Sequence, residues 1–395
     1  MDRSSFTKQA PGHLVKIDLP KPDWAFVPNP LISEWDLPPR LWPLLVETRE
    51  AIGRLDGVGR HMPNHELLLR PLLQREALRS SSMEGTFATP KQLLLYQADP
   101  TEATSKDDKK IPWREVFNYS SALIAGKAQL EAGYPLSLQL IRALHAELLN
   151  GVRGEEKAPG QFRKRQVLVG VGGRFIPPPG HNLADCLTAL ENTLQEPTGI
   201  DPLVRAFMVH YQFEAVHPFY DGNGRVGRLL LSLQIFKQLK LTHPWLYLSA
   251  YFEKHKDDYI DGLFRISTHN DWDSWIEFCL RAAREQANDA IQRFDELVAL
   301  RDRYHMKAGT LQASARLHPL IDWLFETPLL TVSQVQQRAK VTYPTAKSDL
   351  EHLVGLKILK RSADNRPMFY YANKIMSIAF RDDGDTSQTP GEVTQ

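Results

Sequence analysis

His217-Pro-Phe-Tyr-Asp221-Gly-Asn-Gly-Arg225-Val-Gly-Arg228 packs a titratable base, a carboxylate, three glycines, an amide and two arginines into twelve residues. The run before it, Leu203 to Ala215, reads as a helix. The run after it, from Asn223 through Leu229, Leu230, Leu231, Leu233, Ile235 and Phe236, is apolar on every face and reads as a buried helix. Pro218 and the Asp-Gly-Asn-Gly cluster are the loop between them. A glycine-rich loop entering a helix presents unpaired N–H groups at the positive end of the helix dipole, which suits a phosphate. Arg225 and Arg228 are costly on so apolar a helix unless an anion meets them. Asp221 beside an anion site makes sense mainly if a divalent cation bridges the two. His217 is the one neutral-pH base in the loop. The set reads as a phosphoryl or nucleotidyl transfer site, against the plainer alternative of a capped turn with a structural histidine.

The rest of the composition sets few further demands. A formal net charge of +1 gives no global field toward nucleic acid or membrane. The two cysteines, Cys186 and Cys279, lack metal-ligand spacing and fit a reducing compartment. No apolar signal core opens the chain and no 18-residue apolar run occurs, so a soluble, cytoplasmic protein is expected.

Residues 1 to about 40 are rich in proline and read as an extended lead-in, part of an N-terminal region spanning 1–100. Helical periodicity runs from Leu41 to Leu55. A second helix is predicted from Pro71, at a first-turn position, to Gly85, at a C-terminal cap. Within it Leu73, Ala77, Ser80 and Glu84 share one face, so Glu84 points inward in the last turn, where the dipole disfavours it. Such a Glu wants a cation; the alternative is an exposed Glu on a frayed end. Residues 97–110 read as a polar loop, and helices are expected at 114–132, 136–149, 183–194, 251–268 and 272–300. Val167-Leu-Val-Gly-Val171 and Arg174-Phe-Ile176 flank Gly172-Gly173 and read as a hairpin ended by Pro177-Pro-Pro179.

The opening loop, with His210-Tyr-Gln-Phe213-Glu214 before it, resembles the His-Pro-Phe-x-Asp-Gly-Asn-Gly-Arg-x-x-Arg signature of the Fic (filamentation induced by cAMP) family and fits it without a departure. The resemblance implies a mainly α fold, with a Fic-type helical core at 101–300 and a β-hairpin flap at about 163–178. It also implies transfer of AMP from ATP to a Ser, Thr or Tyr hydroxyl of a protein, releasing pyrophosphate. In that scheme His217 is the general base and Asp221 holds Mg2+ or Mn2+. Gly222, Asn223 and Gly224 hold phosphate oxygens, and Arg225 and Arg228 grip the β- and γ-phosphates. Ser80-x-x-x-Glu84-Gly85 looks like the family's inhibitory motif, whose Glu pairs with the second signature arginine, here Arg228, and blocks the γ-phosphate. Val167, Val169 and Val171 would register a target peptide by strand addition. Tyr259 and Leu263 resemble residues lining an adenine pocket, although Ile260 and Ser267 depart from the family's pattern there. Asn118, Tyr119 and His145 match common family positions; on spacing alone His145 is a packed core residue. Removal of AMP by a Glu84-activated water and a non-enzymatic DNA-binding regulator are the competing readings.

From Leu317 the texture changes. Helices at 319–325, 332–339 and 344–356, then strands at 358–361 and 368–371, resemble a winged helix spanning 315–376, with a polar, disordered tail at 382–395. Nine Lys/Arg face five Asp/Glu between Arg316 and Lys374. Lys347 is opposed by Asp349 and Glu351 on the second helix of the pair, so DNA binding is not favoured over a protein-protein role such as a homodimer.

Overall fold

Two buried helices carry the loop. The computed structural model of the chain describes residues 1–18, 21–60, 65–98, 100, 108, 110–309, 314–362 and 368–381. Its elements in order are β1 (Gly12–Ile17), β2 (Asp23–Pro28), α1 (Trp42–Arg60), α2 (Glu66–Met83), α3 (Pro90–Ala98), α4 (Ile111–Glu131) and α5 (Leu138–Leu148). There follow α6 (Gly180–Gln195), α7 (Pro202–Val216), α8 (Asn223–Gln238), α9 (Ser249–Lys254), α10 (Lys256–His269) and α11 (Trp272–Ala308). The C-terminal elements are α12 (Ser314–Glu326), β3 (Leu329–Thr331), α13 (Val332–Ala339), α14 (Tyr343–Gly355), β4 (Lys360–Arg361), β5 (Phe369–Tyr371) and α15 (Asn373–Phe380).

α7 starts sharply because Asp201 accepts the Leu203 and Val204 N–H groups at 2.8 and 3.4 Å, with Pro202 preset for the first turn. It packs on α8, and nearly every residue of both helices is buried. α2, α4, α5, α6, α10 and α11 enclose this pair, and one apolar core runs from Leu41 to Ile375.

Several expectations from the sequence are corrected. The proline-rich lead-in contains a hairpin: β1 and β2 pair antiparallel from Gly12↔Pro28 to Ile17↔Asp23, and Ala25 and Phe26 are fully buried. Pro28 is the last residue of β2, a strand end where a missing N–H is tolerated. α2 begins at Glu66, and Pro71 lies inside it. The burial of Leu69, Leu72 and Leu73 outweighs the hydrogen bond that a proline forfeits. α3 went unread, although Thr89 and Gln92 exchange the bonds of a capping box around Pro90. The helix expected at 251–268 breaks at His255 into α9 and α10.

The flap is also corrected. In place of a two-stranded hairpin, Val169 and Phe175 form one antiparallel bridge, with N···O distances of 2.9 and 3.1 Å, and a turn of 3-10 helix spans Val171–Gly173. Gly170, Gly172 and Gly173 all take positive φ, so the turn consumes the residues that would have lengthened the ladder. Pro177, Pro178 and Pro179 have no N–H with which to extend it. The segment is braced instead from β2, whose Phe26 N–H donates to the Ile176 carbonyl at 2.8 Å.

In the C-terminal unit the strands form an antiparallel sheet in the order β3-β5-β4, and α15, absent from the sequence reading, follows. The unit rests on α2 and α3. Leu94 of α3 packs with Leu329 and Phe369, and α12 and α15 pack against α2. Asp289 of α11 accepts from Arg293 at 2.7 Å and lies 3.4 Å from Arg75 of α2, while Arg293 also donates to the Ile378 carbonyl. The expected loop at 97–110 lies largely, and the tail at 382–395 entirely, outside the described residues.

Because the Asp201 side chain caps the helix that delivers the loop, Asp201→Ala is expected to cost about 1 kcal/mol. A lower midpoint in urea denaturation, with an unchanged slope, would measure it.

Candidate active site

The loop begins with a strained residue. His217 caps α7 with φ 49°, a left-handed conformation unusual outside glycine, and its N–H closes the helix on Phe213. Arg163, buried at 2% exposure, holds this shape. Its guanidinium donates to the carbonyls of His217 (2.8 Å), Pro178 (2.6 Å) and Val216 (3.3 Å), and its backbone N–H donates to Pro218. On sequence, position 163 only opens the flap segment. A buried Arg with carbonyl partners leaves no acidic residue at helical spacing to betray it.

Further along the loop, Phe219 is fully buried, with its ring stacked 3.7 Å from that of His145. His145 accepts the Gly160 N–H on Nδ1, so its Nε2–H donates to the Asp221 carbonyl at 3.0 Å. Burial pushes its pKa down to about 4, which keeps it neutral. His145 is therefore a core residue that positions Asp221. Tyr220, to which the sequence assigned nothing, accepts the Lys164 and Arg165 N–H groups and ties the loop to the flap.

Two side chains of the signature are engaged within the fold. The Asn223 amide is spent on the loop itself: its Oδ1 accepts from the Phe219 N–H at 2.8 Å and its Nδ2 donates to the Phe219 carbonyl at 2.9 Å. Arg225 is paired 3.1 Å from Glu115 of α4, both almost fully buried, and does not line the cavity described below. Glu115 also accepts from the Thr86 hydroxyl at 2.6 Å, joining the base of the loop to the chain just beyond α2. Neither Glu115 nor Thr86 was read from the sequence, because the two lie 110 and 139 residues from Arg225 with no periodic relation to it.

Arg228 meets α2. Its Nε donates to the Ser80 hydroxyl (2.8 Å), and its Nη2 donates to the Ser80 carbonyl (2.9 Å) and to the Glu84 carboxylate (2.8 Å). The four-residue spacing of Ser80 and Glu84 puts both on one guanidinium. The Glu84 carboxylate lies against Gly224, where any Cβ would overlap Oε1. It thus lies over the N-terminal turn of α8. Burial pushes the Glu84 carboxyl up, but the Arg228 charge and hydrogen bond outweigh this and hold it below the usual carboxylate range. Gly85, with φ 80°, then lets the chain turn away. Lys256 donates to the Met83 carbonyl at 2.7 Å and pins the same helix end.

These groups open onto a cavity of about 250 Å3 lined by Glu84, His217, Gly224, Arg228, Tyr259, Leu263, Phe264 and Val169, among others. Asp221, Gly222, Asn223, Arg225 and Ser80 are not among its lining residues. Val167 also stands outside the lining. Burial, reinforced by Arg163, pushes the His217 imidazole down to about 4. Tyr259, which lines the cavity, donates its hydroxyl to His210 Nε2 at 2.9 Å. Glu214 lines the same wall; burial pushes its carboxyl up to about 8, and its Oε1 has no hydrogen-bond partner among the described residues. A half-exposed carboxylate such as Asp221 (40% of its side chain) offers one hard oxygen ligand, and no cluster of three His, Cys, Asp or Glu able to hold a metal occurs among the described residues. One carboxylate suits an ion that keeps several waters and takes further ligands from phosphates, as Mg2+ does.

With this geometry established, comparison with known proteins identifies the class. Residues 42–128 match the Fic/DOC family N-terminal model and residues 135–235 the Fic/DOC family model. The chain carries the Fic/DOC family domain and the family's N-terminal domain. It is 38% identical over 119 residues to a probable protein adenylyltransferase of Aquifex aeolicus (strain VF5), covering 30% of this chain and 34% of that one. It is 33% identical over 125 residues to the protein adenylyltransferase Fic of Drosophila virilis, covering 31% of this chain and 25% of that one. The matches therefore span only about a third or less of these relatives' lengths. A Fic family protein from Desulfovibrio desulfuricans G20 shares the fold, with a TM-score of 0.57 at 22% identity over 87% of this chain and 98% of that one. Fic-1 from C. elegans (aa134–508) superposes with a TM-score of 0.53 at 19% identity, over 65% of this chain and 75% of that one.

Removing Glu115 strands the buried Arg225 charge. Glu115→Ala is expected to cost about 3–5 kcal/mol, as removing one partner of a buried pair does. Thermal and urea unfolding would measure the loss, and Arg225→Met combined with Glu115→Leu should recover much of it.

Proposed function

We propose that this chain is a self-restrained protein adenylyltransferase, moving AMP from ATP to the hydroxyl of a Ser, Thr or Tyr side chain on a protein. The observation that carries the reading is the Glu84 carboxylate on Arg228 and Gly224, an anion held where a nucleotide phosphate would otherwise meet the start of α8. In the reaction the acceptor oxygen attacks the α-phosphorus, the bond from that phosphorus to the bridging oxygen breaks, and pyrophosphate leaves. His217, neutral at physiological pH, takes the acceptor's proton. The N–H groups around Asn223 and Gly224 at the start of α8 and the Arg228 guanidinium orient the phosphates once Glu84 withdraws. Asp221 would hold Mg2+, which neutralises charge on the leaving pyrophosphate. Tyr259, Leu263 and Phe264 supply an apolar wall for the base. The outward edge of the flap near the exposed Leu168 offers main-chain groups to an extended peptide.

The pH behaviour follows from the signs. Glu84 has a depressed pKa, so its pair with Arg228 is intact above the usual carboxylate range and is lost only as pH falls through the lowered value. Acidity within about pH 5.5–8 therefore does not release it. His217 must be neutral to act, so released enzyme should be flat over that range and lose rate as pH drops toward about 4.

Incubation with α-labelled ATP tests the proposal. Glu84→Gly is expected to label protein strongly where the wild type labels weakly, and His217→Ala in that background should lower the rate by about 10²–10⁴-fold. No label from Glu84→Gly on itself or on any lysate protein would overturn the reading. Release of AMP from a pre-modified target, abolished by Glu84→Gly, would assign Glu84 to the reverse reaction.

A further inference from the structure

Tyr211, Glu214 and His217 follow one another at three-residue steps along α7 and its cap, and all three line the cavity. His217 belongs to the end where Glu84, Gly224 and Arg228 meet, near enough to feel the Glu84 charge. Tyr211 belongs to the apolar end. Its hydroxyl lies 3.1 Å from that of Ser267 on α10, which shares the wall with Leu263 and Phe264. Glu214 sits between them, about 4.5 Å along the helix from each at the rise of an α-helix.

α8 gives the same spacing from the other side. Gly224 and Gly227 are three residues apart, and each has a glutamate against it: a Cβ at Gly224 would overlap Glu84, and one at Gly227 would overlap Glu214 Oε1. The Glu214 carboxyl is thus about one turn of α8 from the anion that Glu84 now supplies.

The fold makes no use of this carboxyl. Its Oε1 is buried without a hydrogen-bond partner among the described residues, and Arg228 donates to Ser80 and Glu84 instead. Leaving such a group unpaired beside an apolar wall is costly unless a ligand meets it. Burial pushes the carboxyl up to about 8 against the pull of Arg228, so at neutral pH it adds little negative charge to a site that receives phosphates. In the neutral form it both donates and accepts, and so does a sugar hydroxyl.

A nucleotide with its phosphates at Arg228 and Gly224 and its base against Leu263 and Phe264 passes its sugar across the middle of the cavity, where Glu214 stands. We propose, given the nucleotide reading of this cavity, that Glu214 binds the ribose hydroxyls and makes the site select ribonucleotides. A carboxyl that served only the packing of α7 on α8 would not distinguish one sugar from another.

Binding would be measured by isothermal titration calorimetry with Mg2+ in the full chain carrying Glu84→Gly and His217→Ala, which frees the site and prevents turnover. ATP is expected to bind more tightly than 2′,3′-dideoxy-ATP by about 10–100-fold, as hydrogen bonds to the two hydroxyls would give. Adding Glu214→Ala should bring ATP down to the dideoxy level and leave dideoxy-ATP where it was. Glu214→Gln, which has the same shape and still donates and accepts, should keep most of the preference. Equal affinity for the two nucleotides before Glu214 is changed would overturn the ribose assignment while leaving the nucleotide site standing. So would an equal loss of both on Glu214→Ala, or a preference that survives it. Binding of neither nucleotide would overturn the assignment and the nucleotide reading together.

Discussion

Everything in the core answers to where the Arg228 guanidinium finds its negative charge. A cation almost fully buried on an apolar helix is costly unless charge and hydrogen bonds meet it. Ser80 and Glu84 provide both from one face of α2. Once α2 is committed to that contact, its other partners follow: α4 through the bond from Tyr119 to Glu76, α9 through Arg79 and Glu253, and α10 through Lys256. In the function proposed, the same contact also keeps a nucleotide phosphate from Arg228.

The loop itself is built by a different principle. Its unusual backbone is held by groups that never face the cavity: Arg163 on three carbonyls of the loop and its surroundings, Asn223 on both polar groups of Phe219, His145 on the Asp221 carbonyl. Each is buried and fully engaged, so the strain at His217 is sustained from behind. Fewer residues than the signature contains line the cavity. Much of a motif this dense maintains shape, and Arg225 is the clearest case, its charge being taken by Glu115.

The C-terminal unit rests on the same α2 that carries Glu84. Its sheet packs on α3, and α12 and α15 lie against α2, with Asp289 close to both Arg75 and Arg293. The helix that reaches Arg228 is thus held from two sides, by the catalytic core at its C-terminal end and by the C-terminal unit along its length.

What the amino-acid sequence determined alone is whatever depends on neighbours a few residues apart. The helix-loop-helix around His217, the shared face of Ser80 and Glu84, the capping of α13 at Thr331 and the left-handed turn at Gly85 are all local, and local geometry is periodic. The strands of the N-terminal hairpin were equally local, but the prolines around them masked the alternation. Tertiary structure decided the rest: that Arg225 is neutralised by Glu115, that Asp349 faces Arg316 and not solvent, that the flap shrinks to one bridge, and that Arg163 supports His217. Such pairings join residues far apart in the chain. A charge in a sequence shows what it needs, and only the packed fold shows which partner meets it.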